Sequence, residues 1–117
     1  MQLTRDGILQ QGGAPATATL QYELITSGFG GTFNIYKNGS LLQSMTTDTS
    51  LVTVTINAGD TFYSTIQSSA GSSSVDYFVN GSYVTSYFIF TTGTLTTPTI
   101  TASGGTTYKY TGYFGAV

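Results

Sequence analysis

Apolar and polar residues alternate along most of this chain with a period of two. In residues 17–26, Ala18, Leu20, Tyr22 and Leu24 fall on one side, and Thr17, Thr19, Gln21 and Glu23 on the other. Successive side chains of a strand point to opposite faces, so this alternation predicts a half-buried strand. Residues 32–37 repeat the pattern, with Phe33 and Ile35 opposite Asn34 and Tyr36. Residues 50–56 do so again, with Val52, Val54 and Ile56 opposite Thr53 and Thr55. Residues 61–68 place Phe62 and Ile66 inward, and residues 75–79 form a further strand. In residues 82–92 the alternation assigns Val84, Phe88 and Phe90 to the core and Tyr83, Tyr87 and Ile89 to the opposite face. Residues 99–102 and 106–114 close the chain, with Tyr108, Tyr110 and Phe114 sharing one face of the last strand.

The breaks between these runs carry turn chemistry. Asn38-Gly39 and Asn80-Gly81 each join two strand patterns. A two-residue type I′ turn needs positive φ at both central positions, which Asn and Gly tolerate best, so both pairs predict hairpins. Residues 57–60, 69–74 and 93–98 and the Gly104-Gly105 pair supply the other turns. No segment has a helical period. Turn signals recur at a spacing of roughly 8–12 residues, which marks a sandwich or barrel. The expected fold is all-β: a single antiparallel β-sandwich of about eight strands, jelly-roll-like, with an immunoglobulin-like sandwich as the alternative. Residues 1–15 lack periodicity and read as an extended N-terminal arm, leaving residues 16–117 for the sandwich domain. The functional reading of the arm is a segment that docks on a neighbouring subunit.

Composition changes the picture of the surface. Of 117 residues only 7 % are charged, against about 25 % in ordinary soluble domains. Ser and Thr make up roughly a third of the chain, so the polar faces carry hydroxyls and amides. The net charge of −2 and three basic residues argue against a nucleic-acid partner, which needs clustered Lys and Arg. No apolar run is long enough to span a bilayer, the cluster at residues 87–90 being strand-sized. No basic start followed by an apolar run marks a signal peptide.

Candidate chemistry is sparse. The chain has no Cys and no His, which removes thiolate sites and the commonest general base and metal ligand. The five acids sit mostly beside turns, where Asp serves local hydrogen bonding. No Asp-rich loop has the spacing of a Ca²⁺ site. The expectation is a protein that is not an enzyme and that uses no cofactor and no metal. Asn38-Gly39-Ser40 and Asn80-Gly81-Ser82 match the N-glycosylation acceptor pattern, but hairpin chemistry explains both. Nine Tyr against no Trp is the unusual feature. Tyr pairs on a sheet can stack sugars, bury themselves at a subunit interface, or belong to the core. Tyr83, Tyr87, Tyr108 and Tyr110 are therefore candidate interface or ligand residues. Phe29, flanked by glycines in a turn, is another.

The run from Phe33 to Gly39 (Phe-Asn-Ile-Tyr-Lys-Asn-Gly), followed by the run from Val54 to Phe62 (Val-Thr-Ile-Asn-Ala-Gly-Asp-Thr-Phe), resembles a pattern of viral and bacteriophage virion β-sandwich proteins. Complement-like and tumour-necrosis-factor-like jelly rolls are similar in the same stretch. The resemblance covers about a third of the chain. It implies a structural protein of a virus or phage particle, located in the virion. Such a protein assembles symmetrically with itself and with other virion proteins, as a minor capsid (vertex or penton-like) or decoration element. The alternative is a receptor- or glycan-binding fibre or spike head, whose partner is a host surface glycan or receptor. Low charge agrees with assembly, because burying a hydrogen-bonded Ser or Thr costs far less than burying an unpaired charge. A free monomer with so few charges also has little protection against association.

Overall fold

The computed structural model describes residues 15–26 and 30–114. Ten strands fill this span: β1 (Thr17–Thr26), β2 (Gly31–Lys37), β3 (Ser40–Met45), β4 (Thr49–Asn57), β5 (Thr61–Ser68), β6 (Ser73–Val79), β7 (Ser82–Ile89), β8 (Leu95–Thr96), β9 (Ile100–Thr101) and β10 (Thr107–Phe114). No helix lies among the described residues, so none there is long and apolar enough to cross a membrane. The strands form two sheets packed as a sandwich. One has five strands in the order β4-β1-β10-β6-β7. The other runs β3-β2-β5-β8, with β9 also pairing β5. The all-β sandwich expected from the alternation is therefore the fold. Almost every pairing is antiparallel; the exception is β1 with β10, which run parallel from Thr19↔Thr107 to Thr26↔Phe114. The arm expected at residues 1–15 falls, apart from Pro15, outside the described residues.

The core forms where the inward rows of the two sheets meet. Leu20, Tyr22 and Leu24 come from β1, Phe33 and Ile35 from β2, Phe62 and Ile66 from β5, and Tyr108, Tyr110 and Phe114 from β10; all are buried. The rings pack edge-on or tilted: Phe62 against Tyr108 at 4.9 Å and Tyr110 at 5.9 Å, and Tyr77 against Tyr110 at 5.5 Å. Such offset arrangements suit the ring quadrupoles. Tyr22 reaches the sandwich edge and donates its hydroxyl to Gln43 Oε1 at 2.8 Å. The Tyr110 hydroxyl faces the Thr97 side chain, but among the described residues no group meets it with hydrogen-bond geometry. Gly112 makes room for Phe33: a methyl group there would meet the ring at 2.8 Å.

Both Asn-Gly pairs form the expected hairpin turns. Asn38 and Asn80 have φ of 52° and 51°, and Gly39 and Gly81 follow at 80° and 82°. The two runs that carry the virion resemblance meet in space. Asn38 donates from Nδ2 to Asp60 Oδ1 at 3.0 Å and accepts from the Thr61 amide at 2.9 Å. Asp60 Oδ2 accepts from the Asn57 amide at 2.8 Å. These bonds hold the Asp60 carboxyl below its usual pKa, the Asn38 amide being the larger cause and the Asn57 N–H the second. The motif thus works as a clasp between the β2–β3 and β4–β5 turns.

One strand departs from its expected facing. Val84, Phe88 and Phe90 are 51 %, 52 % and 73 % exposed. The cause is a bulge in the β6–β7 ladder, where Phe78 faces Tyr83 but Tyr77 faces Thr85, leaving Val84 as an extra residue. One extra residue inverts every side chain beyond it. Tyr87, opposite the buried Val75, therefore turns inward, while Tyr83 points outward. The two tyrosines expected on a common face lie on opposite ones.

Candidate functional face of the five-stranded sheet

The outward face of the five-stranded sheet is built from three rows of paired residues. The first crosses the sheet as Thr53, Gln21, Lys109, Phe78 and Tyr83. The second, two residues further along the strands, reads Glu23, Thr111, Asp76 and Ser86. The third reads Ile25, Tyr113, Ser74 and Phe88. A polar row is thus flanked by an aromatic pair on each side, with Phe90 beyond. Six of the chain's charged residues fall in the described span: Glu23, Lys37, Asp48, Asp60, Asp76 and Lys109. Half of them, Glu23, Asp76 and Lys109, stand on this one face.

Hydrogen bonds fix the polar row. Ser86 Oγ donates to Asp76 Oδ1 at 2.6 Å. With that proton committed, the Tyr83 hydroxyl at 2.7 Å donates to Ser86 Oγ, giving a relay from Tyr83 to Ser86 to Asp76. Thr111 Oγ1 donates to Glu23 Oε2 at 2.9 Å. Lys109 Nζ stands 4.0 Å from the same Glu23 oxygen and 4.3 Å from the centre of the Phe78 ring. The ion pair is partly exposed and contributes little to stability, on the order of 0–1 kcal/mol. Its effect is to hold the lysine flat over the aromatic. Burial raises the Tyr113 hydroxyl above its ordinary pKa, and the nearby Asp76 carboxylate adds to this.

Ser74, Asp76, Phe88 and Tyr113 line an open hollow of about 270 Å³. Beside it Phe88 and Phe90 stack with centroids 6.1 Å apart and planes within 1° of parallel. Tyr83 adds 59 % exposure on the same strand. Aromatic side chains around a few ordered polar groups are the composition of binding hot spots. The face is open, without the closed cleft that excludes water from reacting groups. Its arrangement suits recognition of a surface. Among the described residues no group of three acids is placed to hold a metal ion.

The five residues singled out from the sequence are scattered. Tyr83 lies on this face. Tyr87 is half-buried and packs against the core from inside. Tyr108 and Tyr110 are core residues. Phe29 lies outside the described residues. Sequence reasoning missed Phe88, Phe90, Asp76, Lys109 and Tyr113. The signal that could have found Phe88 and Phe90 is the even count of residues between Tyr83 and Phe88. An uninterrupted strand cannot put both on the outer face, and only a bulge reconciles them.

Comparison of the chain with protein families, curated proteins and solved structures gave no match.

Proposed function

We propose that this protein is a structural subunit of a virus or bacteriophage particle, assembling symmetrically as a minor capsid or decoration element. The observation that carries the assembly reading is the exposure of Tyr83, Val84, Phe88 and Phe90 on one edge strand of a charge-poor sandwich. Edge strands are ordinarily guarded by Lys, Pro or short length. β7 has eight residues, Ser-Tyr-Val-Thr-Ser-Tyr-Phe-Ile, with no Lys and no Pro, and its one local interruption is the bulge at Val84. A neighbouring subunit that covers this strand removes the liability. The virion assignment rests on the resemblance of the Phe33–Gly39 and Val54–Phe62 runs, whose Asn38–Asp60 clasp gives them a shared structural role.

The test is native mass by light scattering after size exclusion, on the wild type and on a Phe88→Ser/Phe90→Ser variant. The expected result is a closed oligomer that dissociates in the variant, while the variant monomer keeps the wild-type circular dichroism and a cooperative melt. A strict monomer that also fails to bind virus particles overturns the reading. A second reading, a receptor- or glycan-binding head, is favoured by the hollow beside Phe88, Asp76 and Tyr113. Under that reading the same double variant loses saccharide binding on a glycan array and keeps its mass.

A further inference from the structure

Among the described residues the five-stranded sheet has two unpaired edges, β7 and β4, and their directions are set by the single parallel pair. Along the order β4-β1-β10-β6-β7, each antiparallel neighbour reverses the chain and the parallel β1–β10 pair does not. A fully antiparallel five-stranded sheet has both edges running the same way. Here the parallel pair makes β4 and β7 run in opposite directions. When one copy is set beside another head to tail, without being turned over, β7 of the first lies antiparallel to β4 of the second. Antiparallel edges can continue a ladder with straight, closely paired hydrogen bonds.

The two edges also match in chemistry. β4, Thr-Ser-Leu-Val-Thr-Val-Thr-Ile-Asn, contains no charge and no proline, like β7. Their lengths agree at nine and eight residues, with one register shift in each, at Leu51 or Ser50 in β4 and at Val84 in β7. On the solvent side β4 offers Leu51, 47 % exposed, with Thr53 and Thr55, and β7 offers Tyr83 and Phe88. The second sheet has no such pair of edges: opposite β3 stand only β8 and β9, of two residues each.

We infer that copies of this chain join head to tail through β7 of one and β4 of the next, in a heterologous interface, which makes a ring where the rotation between neighbours closes. The inference deepens the assembly reading and rests on it: it names the strands and the sense of the contact. It sets the sheets of neighbouring subunits edge to edge, so their outer faces, with Asp76, Lys109 and Tyr113, form one continuous belt. The exposed aromatics of β7 then lie at the seam.

Two edge variants and two cysteine variants test this in the full chain. Val84→Lys and Leu51→Lys each place a charge on one edge at an exposed position, so folding is retained and is checked by circular dichroism and melting temperature. Each is expected to reduce the native mass to that of one 12.3 kDa chain. The chain has no cysteine, so single replacements give clean cross-links. Thr53→Cys and Tyr83→Cys stand at opposite ends of one row. A short bis-maleimide is expected to give cross-linked dimers when the two variants are mixed, and none with either alone. Dimers from Tyr83→Cys alone, with Leu51→Lys silent, mean a two-fold β7–β7 contact and overturn the head-to-tail arrangement. An oligomer that survives both lysine variants overturns the edge assignment and leaves assembly standing. A wild-type monomer overturns both.

Discussion

Tyr110→Phe removes a single oxygen from the middle of the sandwich. Tyr110 is 1 % exposed and, among the described residues, no group meets its hydroxyl with hydrogen-bond geometry. A buried hydroxyl left unpaired costs about 1–3 kcal/mol relative to one solvated in the unfolded chain. The ring contacts with Phe62 and Tyr77 survive the change, and the space left by the oxygen is smaller than a methyl group. The variant should therefore be more stable than the wild type by about 1 kcal/mol at pH 7. The pH dependence makes the test sharper. Burial holds the Tyr110 hydroxyl well above the ordinary tyrosine pKa. In the unfolded chain it ionises near pH 10, whereas the folded protein keeps its proton, so the unfolded state gains stability above about pH 10. The contribution is whole below that pH and falls by about 1.4 kcal/mol per pH unit above it. Phenylalanine has no such loss, so the advantage of the variant should grow to about 2–2.5 kcal/mol at pH 11. Urea denaturation of both proteins at pH 7, 10 and 11, followed by circular dichroism, reads these differences directly. A variant less stable than the wild type by more than about 1.5 kcal/mol at pH 7 would refute the argument, because the hydroxyl must then have a partner. So would an advantage that stays constant up to pH 11.

Other perturbations probe the core, the clasp and the outer face. Phe33→Ala should cost about 3–5 kcal/mol in a urea melt, as truncation of a fully buried Phe does, since Phe33 is 0 % exposed. Gly112→Ala should cost about 1–3 kcal/mol by overpacking, because its methyl would press on the Phe33 ring; the double variant should be less destabilised than the sum of the two. Asp60→Asn should flatten the acid limb of the stability curve. The lowered Asp60 pKa stabilises the fold above about pH 4 and is lost as pH falls through the folded value, so the difference from wild type should shrink in acid. Phe88→Ser/Phe90→Ser should leave the circular dichroism spectrum and the cooperativity of the urea melt unchanged, and a non-native spectrum would mean that the outer aromatics belong to the fold.

Where alternation was uninterrupted, the sequence alone located both strands and faces. β1, β2 and β5 alternate cleanly, and their inward rows are the rows expected. The Asn-Gly hairpins were legible because positive φ leaves few residue choices. What local pattern could not show is pairing across the chain. The β1–β10 contact joins residues separated by almost the whole length, and nothing in either strand marks it as parallel. The bulge at Val84 was also hidden, since Val is an ordinary strand residue and the shift lies in its partner's ladder. That one residue inverted the expected roles of Phe88 and Tyr87. Tyr108 and Tyr110 were misplaced for a different reason. Tyrosine serves equally well in a core or on an interface, and the neighbour that buries these two, Phe62, is remote in sequence.

The two illegible features act on the same strand, and their effects combine. Without the bulge, Phe88 would face the core, and Thr85, Tyr87 and Ile89 would join Tyr83 on the outer face. Without the parallel pair, the opposite edge of the sheet would run the wrong way to meet β7 in a head-to-tail ladder. Each feature has a local cost: a bulge breaks the ladder, and parallel pairing is slightly weaker per residue than antiparallel. Left uncovered, the sandwich exposes Phe88 and Phe90 at and just beyond the β7 edge. In the head-to-tail assembly proposed above both would be used at once, one supplying the apolar surface and the other the strand direction. The ladders also shift register at Tyr22/Leu24 and at Ile35/Tyr36, but only the shift in β7 turns phenylalanines outward beside a sheet edge, and that is why the proposed contact is placed there.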